Sequence, residues 1–254
     1  MRHVLTLARR ELATYFLGPM AFLVLLAFQV IAWLNFYDLV DSLARNSRSF
    51  SGVRDPLNTY ITGSTPFWIG LLVAIPALTM RLLAEERRSG TIEPLLTAPV
   101  TEGEVVVAKW LAGVVMYLVL LAPSAFYLPF LYYQAKYQFD LGPVLAVGIG
   151  LTTLGMMFVA VGLFFSALTR NQVVAAIWTF AALFALVFLS YVAANYAVIR
   201  RASWAEAAQF LAVINQMASF GMGRVDLRIL AVHLSACGLM LYLTTKIVQY
   251  RREG

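Results

Sequence analysis

Charge is scarce in this sequence: only 13% of its 254 residues are Asp, Glu, Lys or Arg, against 61% hydrophobic residues. Soluble domains carry about 25% charged residues. The shortage, together with a mean hydropathy of +0.78, excludes a water-soluble globule and implies a polytopic membrane protein. Cysteine is scarcer still. The single Cys237 lies inside an apolar run, so the chain can close no internal disulfide and offers no thiolate cluster for zinc. Only two histidines occur, His3 and His233, and Cys237 alone of the further metal-ligating types lies a helical turn from His233, too few for a ligand set, so no metal site is expected. No G-x-x-x-x-G-K-[ST] loop is present, which argues against ATP binding or hydrolysis by this chain. No basic stripe is present either: the formal charge of +6 comes from cations scattered around apolar runs, which suits anionic lipid better than nucleic acid. An intramembrane enzyme is disfavoured because no acid, base, nucleophile and metal-ligand set shares a membrane depth.

What the sequence does have is long apolar runs. A transmembrane helix needs about 20 such residues, and six runs qualify: 18–36, 65–83, 105–133, 142–168, 173–196 and 227–248. They predict an all-α integral membrane protein in one domain, 1–254, with no internal repeat. Residues 1–17 place Leu5, Ala8, Leu12 and Tyr15 at helical spacing, the pattern of an interfacial amphipathic helix. A signal peptide is the alternative, but the run after it is too long for an h-region and no small-x-small cleavage site follows. Six spans put both termini on one side. With the termini inside, eleven of the 19 Lys and Arg residues fall on inner segments and eight on outer ones, a modest bias in the direction expected for cytoplasmic termini.

Two outer segments stand out. Tyr37 to Ser64 is polar around Gly52 and Pro56 and reads as irregular or partly helical. Ala197 to Asp226 places Trp204, Ala208, Leu211 and Asn215 on one helical face and predicts short helices at the interface, or re-entrant if buried in protein. Polar groups within the spans usually bond between helices; Gln29 and Asn35 are also candidates for lining a substrate path. His233 reads first as a packed, hydrogen-bonded histidine. Arg170-Asn171-Gln172 forms a short hairpin turn, and Asp226 is placed to cap the last helix.

The longest charge-rich insertion between apolar runs is Arg81 to Lys109. Gly90 suits the left-handed residue that ends a helix, Thr91 can cap a new one, and Glu93 falls in its first turn. Pro94 is tolerated there, whereas Pro99 comes too late and ends the segment. Ile92, Leu95 and Leu96 would share a short helix that is marginal alone in water and therefore rests on a partner. Thr101-Glu102-Gly103-Glu104 matches the capping box before Val105-Val106-Val107.

The stretch E-E-R-R-S-G-T-I-E-P-L-L-T-A-P-V-T, with Lys109 shortly after it, resembles the first cytoplasmic loop of ABC-2 type transporter permeases, in particular the branch of gliding-motility and nitrous-oxide-reductase-maturation permeases. A second match, G-R-V-D-L-R-I-L-A-V at Gly223 to Val232, leads into the last run and its close at Tyr250-Arg251-Arg252. The resemblance implies the ABC-2 permease fold and a multi-pass protein of the bacterial inner (plasma) membrane, with cytoplasmic termini. It also implies a coupling helix that docks on a separate ABC ATPase, the subunit that would bind ATP and magnesium. By the match, the docking residues are Glu85, Glu86, Arg87, Arg88, Gly90, Thr91, Ile92, Glu93, Leu95, Leu96 and Pro99. Two ATPase subunits and a second permease copy or paralogue would complete the transporter. A non-transporting scaffold, assembly factor or force-transmitting subunit with the same docking loop is the alternative.

Overall fold

A computed structural model of the chain describes residues 2–45, 60, 64–89, 101–127 and 141–253. These comprise eleven α-helices: α1 Arg2–Leu17, α2 Pro19–Arg45, α3 Thr65–Thr79, α4 Ala84–Ser89, α5 Glu102–Leu121, α6 Leu141–Leu168, α7 Gln172–Phe184, α8 Ser190–Ile199, α9 Ala205–Leu211, α10 Val213–Gly221 and α11 Leu227–Glu253. Among them, five stretches are long and apolar enough to cross a membrane: Pro19–Asp41, Glu102–Phe126, Gly142–Leu168, Gln172–Ile199 and Leu227–Tyr250. The sixth apolar run differs from expectation. It yields the 15-residue α3 followed by a turn, because Pro76 withholds a backbone N–H inside the helix and the ladder stops one turn later.

Other boundaries shift for equally local reasons. α2 runs on past Phe36 to Arg45, since no glycine or proline interrupts Tyr37 to Arg45. α5 gives way at Leu121 to a 3-10 turn, Ala122–Phe126, because Pro123 has no N–H for the Val119 carbonyl. Asn171 caps α7 by accepting from Val173 N at 2.9 Å. Asp226 caps α11 by accepting from Arg228 N at 2.8 Å, as its position suggested. Between α7 and α8 lies one π turn, Ala185–Leu189. The stretch from Trp204 to Gly221 forms two helices where one face was expected: extended Ala212 separates α9 from α10, so Asn215 does not continue the Trp204 face. The break turns Val213, Met217 and Phe220 into the core.

α6 is the hub, packed on α3, α5, α7, α10 and α11. Its glycines make this possible. A Cβ on Gly155 would collide with the Tyr117 ring and one on Gly162 with the Thr79 side chain, while at Gly150 it would stand 2.6 Å from the Phe220 ring. Such small residues let membrane helices approach closely enough for dispersion to replace the missing hydrophobic drive. Tyr117 then donates to Leu151 O at 2.9 Å, and Trp110 Nε1 to Met156 O at 3.0 Å. By contrast α2, α7, α8 and α11 keep broad apolar faces exposed, as at Leu26, Trp178 and Tyr242.

Candidate functional site

Polar side chains concentrate where α3 breaks. Residues 80–83 turn between α3 and α4, and the backbone groups freed by the turn are met from α6. The Ser166 hydroxyl accepts from Leu83 N and Ala84 N, each at 3.1 Å, and donates to Met80 O at 3.1 Å. One buried hydroxyl therefore splices α3 to α4 and holds both against the end of α6. Arg87 adds a second tie, donating from its guanidinium to Ala167 O. Tyr15 fastens α1 to the end of α3 by donating to Leu78 O at 2.6 Å. Burial, then the nearby Glu11 carboxylate, pushes the Tyr15 hydroxyl pKa well above its ordinary value.

Lys109 stands two turns into α5 and is only 2% exposed. A buried ammonium persists only if paired. Lys109 Nζ donates to Glu86 Oε1 at 2.7 Å and to Glu11 Oε1 at 2.9 Å, so one cation joins α5, α4 and α1. Burial raises the Glu86 carboxyl pKa above its usual range, and the attraction of Lys109 offsets this only in part. The cluster is thus held by a charge balance that small movements would disturb.

Of the expected docking residues, Glu85, Glu86, Arg87 and Arg88 are described. Glu86 and Arg87 are half-buried and turned to partners within the chain, while Glu85 and Arg88 are exposed. Gly90, Thr91, Ile92, Glu93, Leu95, Leu96 and Pro99 lie outside the described residues. On the far side of them the capping box forms as its sequence implies: Thr101 Oγ1 accepts from Glu104 N at 3.3 Å and Thr101 N donates to Glu104 Oε2 at 3.0 Å. Residues 90–100 are therefore bracketed by the fastened α4 and the capped start of α5.

Gln29 and Asn35 are engaged elsewhere. Gln29 Nε2 donates at 2.6 Å to Leu120 O, at the end of α5, and Asn35 Nδ2 donates to Tyr60 O at 3.4 Å. His233, 1% exposed, belongs to a second network. Gln216 Nε2 donates to Phe210 O at 2.8 Å, which leaves Gln216 Oε1 facing His233 Nε2 at 3.0 Å. His233 Nε2 therefore carries the proton, and the Thr153 hydroxyl lies 3.1 Å from Nδ1 while standing equally 3.1 Å from Ile149 O and Gly150 O, to which it donates. This network binds α6, α10 and α11.

Sequence reasoning missed Glu11 and Ser166, and gave Lys109 no partner. A lysine four residues beyond Val105 in an apolar run was itself a signal, since it demands a counter-charge. Ser166 gave none; serine in a span is common and the break it serves lies more than 80 residues away.

Comparison with known proteins bears on the whole assembly. The sequence model of a family described as ABC-2 family transporter protein matches residues 25–221. No curated protein matches the chain.

Proposed function

Because the chain belongs to the ABC-2 family of transporter proteins, we propose that it is the membrane-spanning permease subunit of an ATP-driven transporter, docked through residues 85–99 on a separate ATPase that holds ATP and magnesium. The observation that carries this reading is the fastening of α4. This helix runs directly into residues 90–100 and is bound to α1 and α5 through Lys109 and to α6 through Ser166 and Arg87. A push delivered at 90–100 would reach four helices at once, as a rigid-body transition requires. In this reading the termini are cytoplasmic and a second permease copy or paralogue completes the translocation unit. Two ATPase subunits bind beneath, and the branch is that of the gliding-motility and nitrous-oxide-reductase-maturation permeases.

The test is a pull-down of the tagged chain, expressed in its native host and extracted in detergent, with the ATP hydrolysis of the eluate assayed. The wild type should retain the ATPase, and the paired change Leu95→Asp, Leu96→Asp should release it while leaving membrane insertion intact. Equal retention by both would remove the docking role from these residues. No retention by either would favour a stand-alone membrane scaffold.

A further inference from the structure

α1 and α4 belong to different neighbourhoods of the bundle. α1 packs along α5 and α2, whereas α4 packs on α6 and α7. They meet at the Lys109 ammonium, which leaves α5 and stands 2.9 Å from Glu11 Oε1 of α1 and 2.7 Å from Glu86 Oε1 of α4. Arg10, also on α1, acts on the Glu86 carboxylate as a second cation. The first helix thus bears on α4 twice, by attraction from Arg10 and through the lysine that Glu11 holds.

Glu11 is the fixed member of this arrangement. Its helix is tied down one turn later, where Tyr15 donates to Leu78 O, and it leads into the long α2 just past Gly18. Glu86 sits instead on a six-residue helix, too short to be stable by itself, that runs into residues 90–100. A lysine side chain has many rotamers and keeps one only where its ammonium is held. The carboxylate on α1 supplies that hold; without it Lys109 would follow Glu86 wherever α4 moved. Ser166 and Arg87 tie α4 to α6, whereas Glu86 turns it toward α1 and α5.

We propose that Glu11, which lies outside residues 85–99, is a positioning residue for ATPase docking: by holding Lys109 it fixes the seat of α4 and so the presentation of the segment that follows. The inference rests on the docking reading, but its first step, the seating of α4, is a property of the chain alone.

That step is read by a nitroxide label on Arg88→Cys, an exposed position of α4, in a chain whose single native cysteine is removed by Cys237→Ala. Glu11→Gln should narrow the electron paramagnetic resonance lines of the label, and Glu11→Asp should recover part of their width. The second readout is the Kd of the unlabelled chain for the ATPase retained in the pull-down. Glu11→Gln should raise it about fivefold or more, the low end of coupling between separate sites. In a Glu86→Gln chain the same substitution should change the Kd less than about twofold, because the carboxylate it acts toward is already neutral. Gln216→Leu, which weakens the distant His233 network, should leave both readouts as in the wild type and so separates positioning from a general loss of stability. Unchanged lines in Glu11→Gln, an undiminished effect in the Glu86→Gln chain, or the same changes in Gln216→Leu would overturn the inference. An unchanged Kd in Glu11→Gln overturns it while leaving the docking reading intact, whereas a wild type that binds no ATPase overturns the docking reading and the role of Glu11 in it together.

Discussion

Two polar networks lie toward opposite ends of α6: a triad on α1, α4 and α5 near the Ser166 end, and a network that includes Thr153, thirteen residues or about 20 Å from Ser166 along the axis. They are built on opposite principles. At one end Lys109, Glu11 and Glu86 are ionisable, and Arg10 of α1 also acts electrostatically on Glu86. At the other end Thr153, His233 and Gln216 need no net charge, with Gln216 accepting from His233 and donating to Phe210 O. A neutral, saturated network holds one geometry. A charged network also holds, but its strength depends on protonation, on neighbouring charge and on small displacements. The contrast assigns anchoring to the α10–α11 end and responsiveness to the end that leads into residues 90–100.

The comparison is broken most forcefully at Lys109. Lys109→Met strands two partly buried carboxylates, and removal of one partner from such a cluster costs about 3–5 kcal/mol. The midpoint of thermal unfolding in detergent should fall sharply, with Lys109→Arg recovering part of the loss. At the neutral end the penalty is smaller. Gln216→Leu leaves His233 Nε2–H and Phe210 O without their partners, about 1–3 kcal/mol for an orphaned buried group. Adding His233→Leu should restore some of that stability, because both polar partners are then gone, and unfolding midpoints of the single and double variants read this directly.

The smallest effect sharpens the contrast. The Glu86 pKa is raised above its ordinary 4.5, so the folded chain holds that proton more tightly than the unfolded chain. The contribution of Glu86 is most favourable below the unfolded value and is lost as pH rises through the folded one. The stability of the wild type relative to Glu86→Gln should therefore decline with rising pH across that window, measured as the difference in unfolding midpoint. Gln216→Leu should keep the pH dependence of the wild type.

The parts of this architecture that are local were legible in the residues. Thr101 and Glu104 lie three apart and form the expected box; Asp226 caps the helix it precedes; and the apolar runs became helices because length and composition decide membrane insertion. The interrupted second run was half legible, since Pro76 stood in view but its effect depended on whether a neighbour would accept the freed backbone. That neighbour, Ser166, is joined to Leu83 across 83 residues, and Lys109 to Glu11 across 98. Such partners are chosen by how helices pack, which no short window of sequence contains. The split at Ala212 was hidden for the same reason: the Trp204 to Asn215 spacing was helical, and burial of Val213, Met217 and Phe220 against α6 outweighed it.

The saturated network has a practical corollary. With just two histidines in the chain, one of them held between Gln216 and Thr153, His233 is a spectroscopic label already in place. Imidazole nitrogen resonances separate the two neutral tautomers, so a single isotopically labelled amino acid reports the α10–α11 end of the bundle against an almost empty background. Movements initiated near α4 can then be followed at the far end of α6 without adding a probe or replacing a residue.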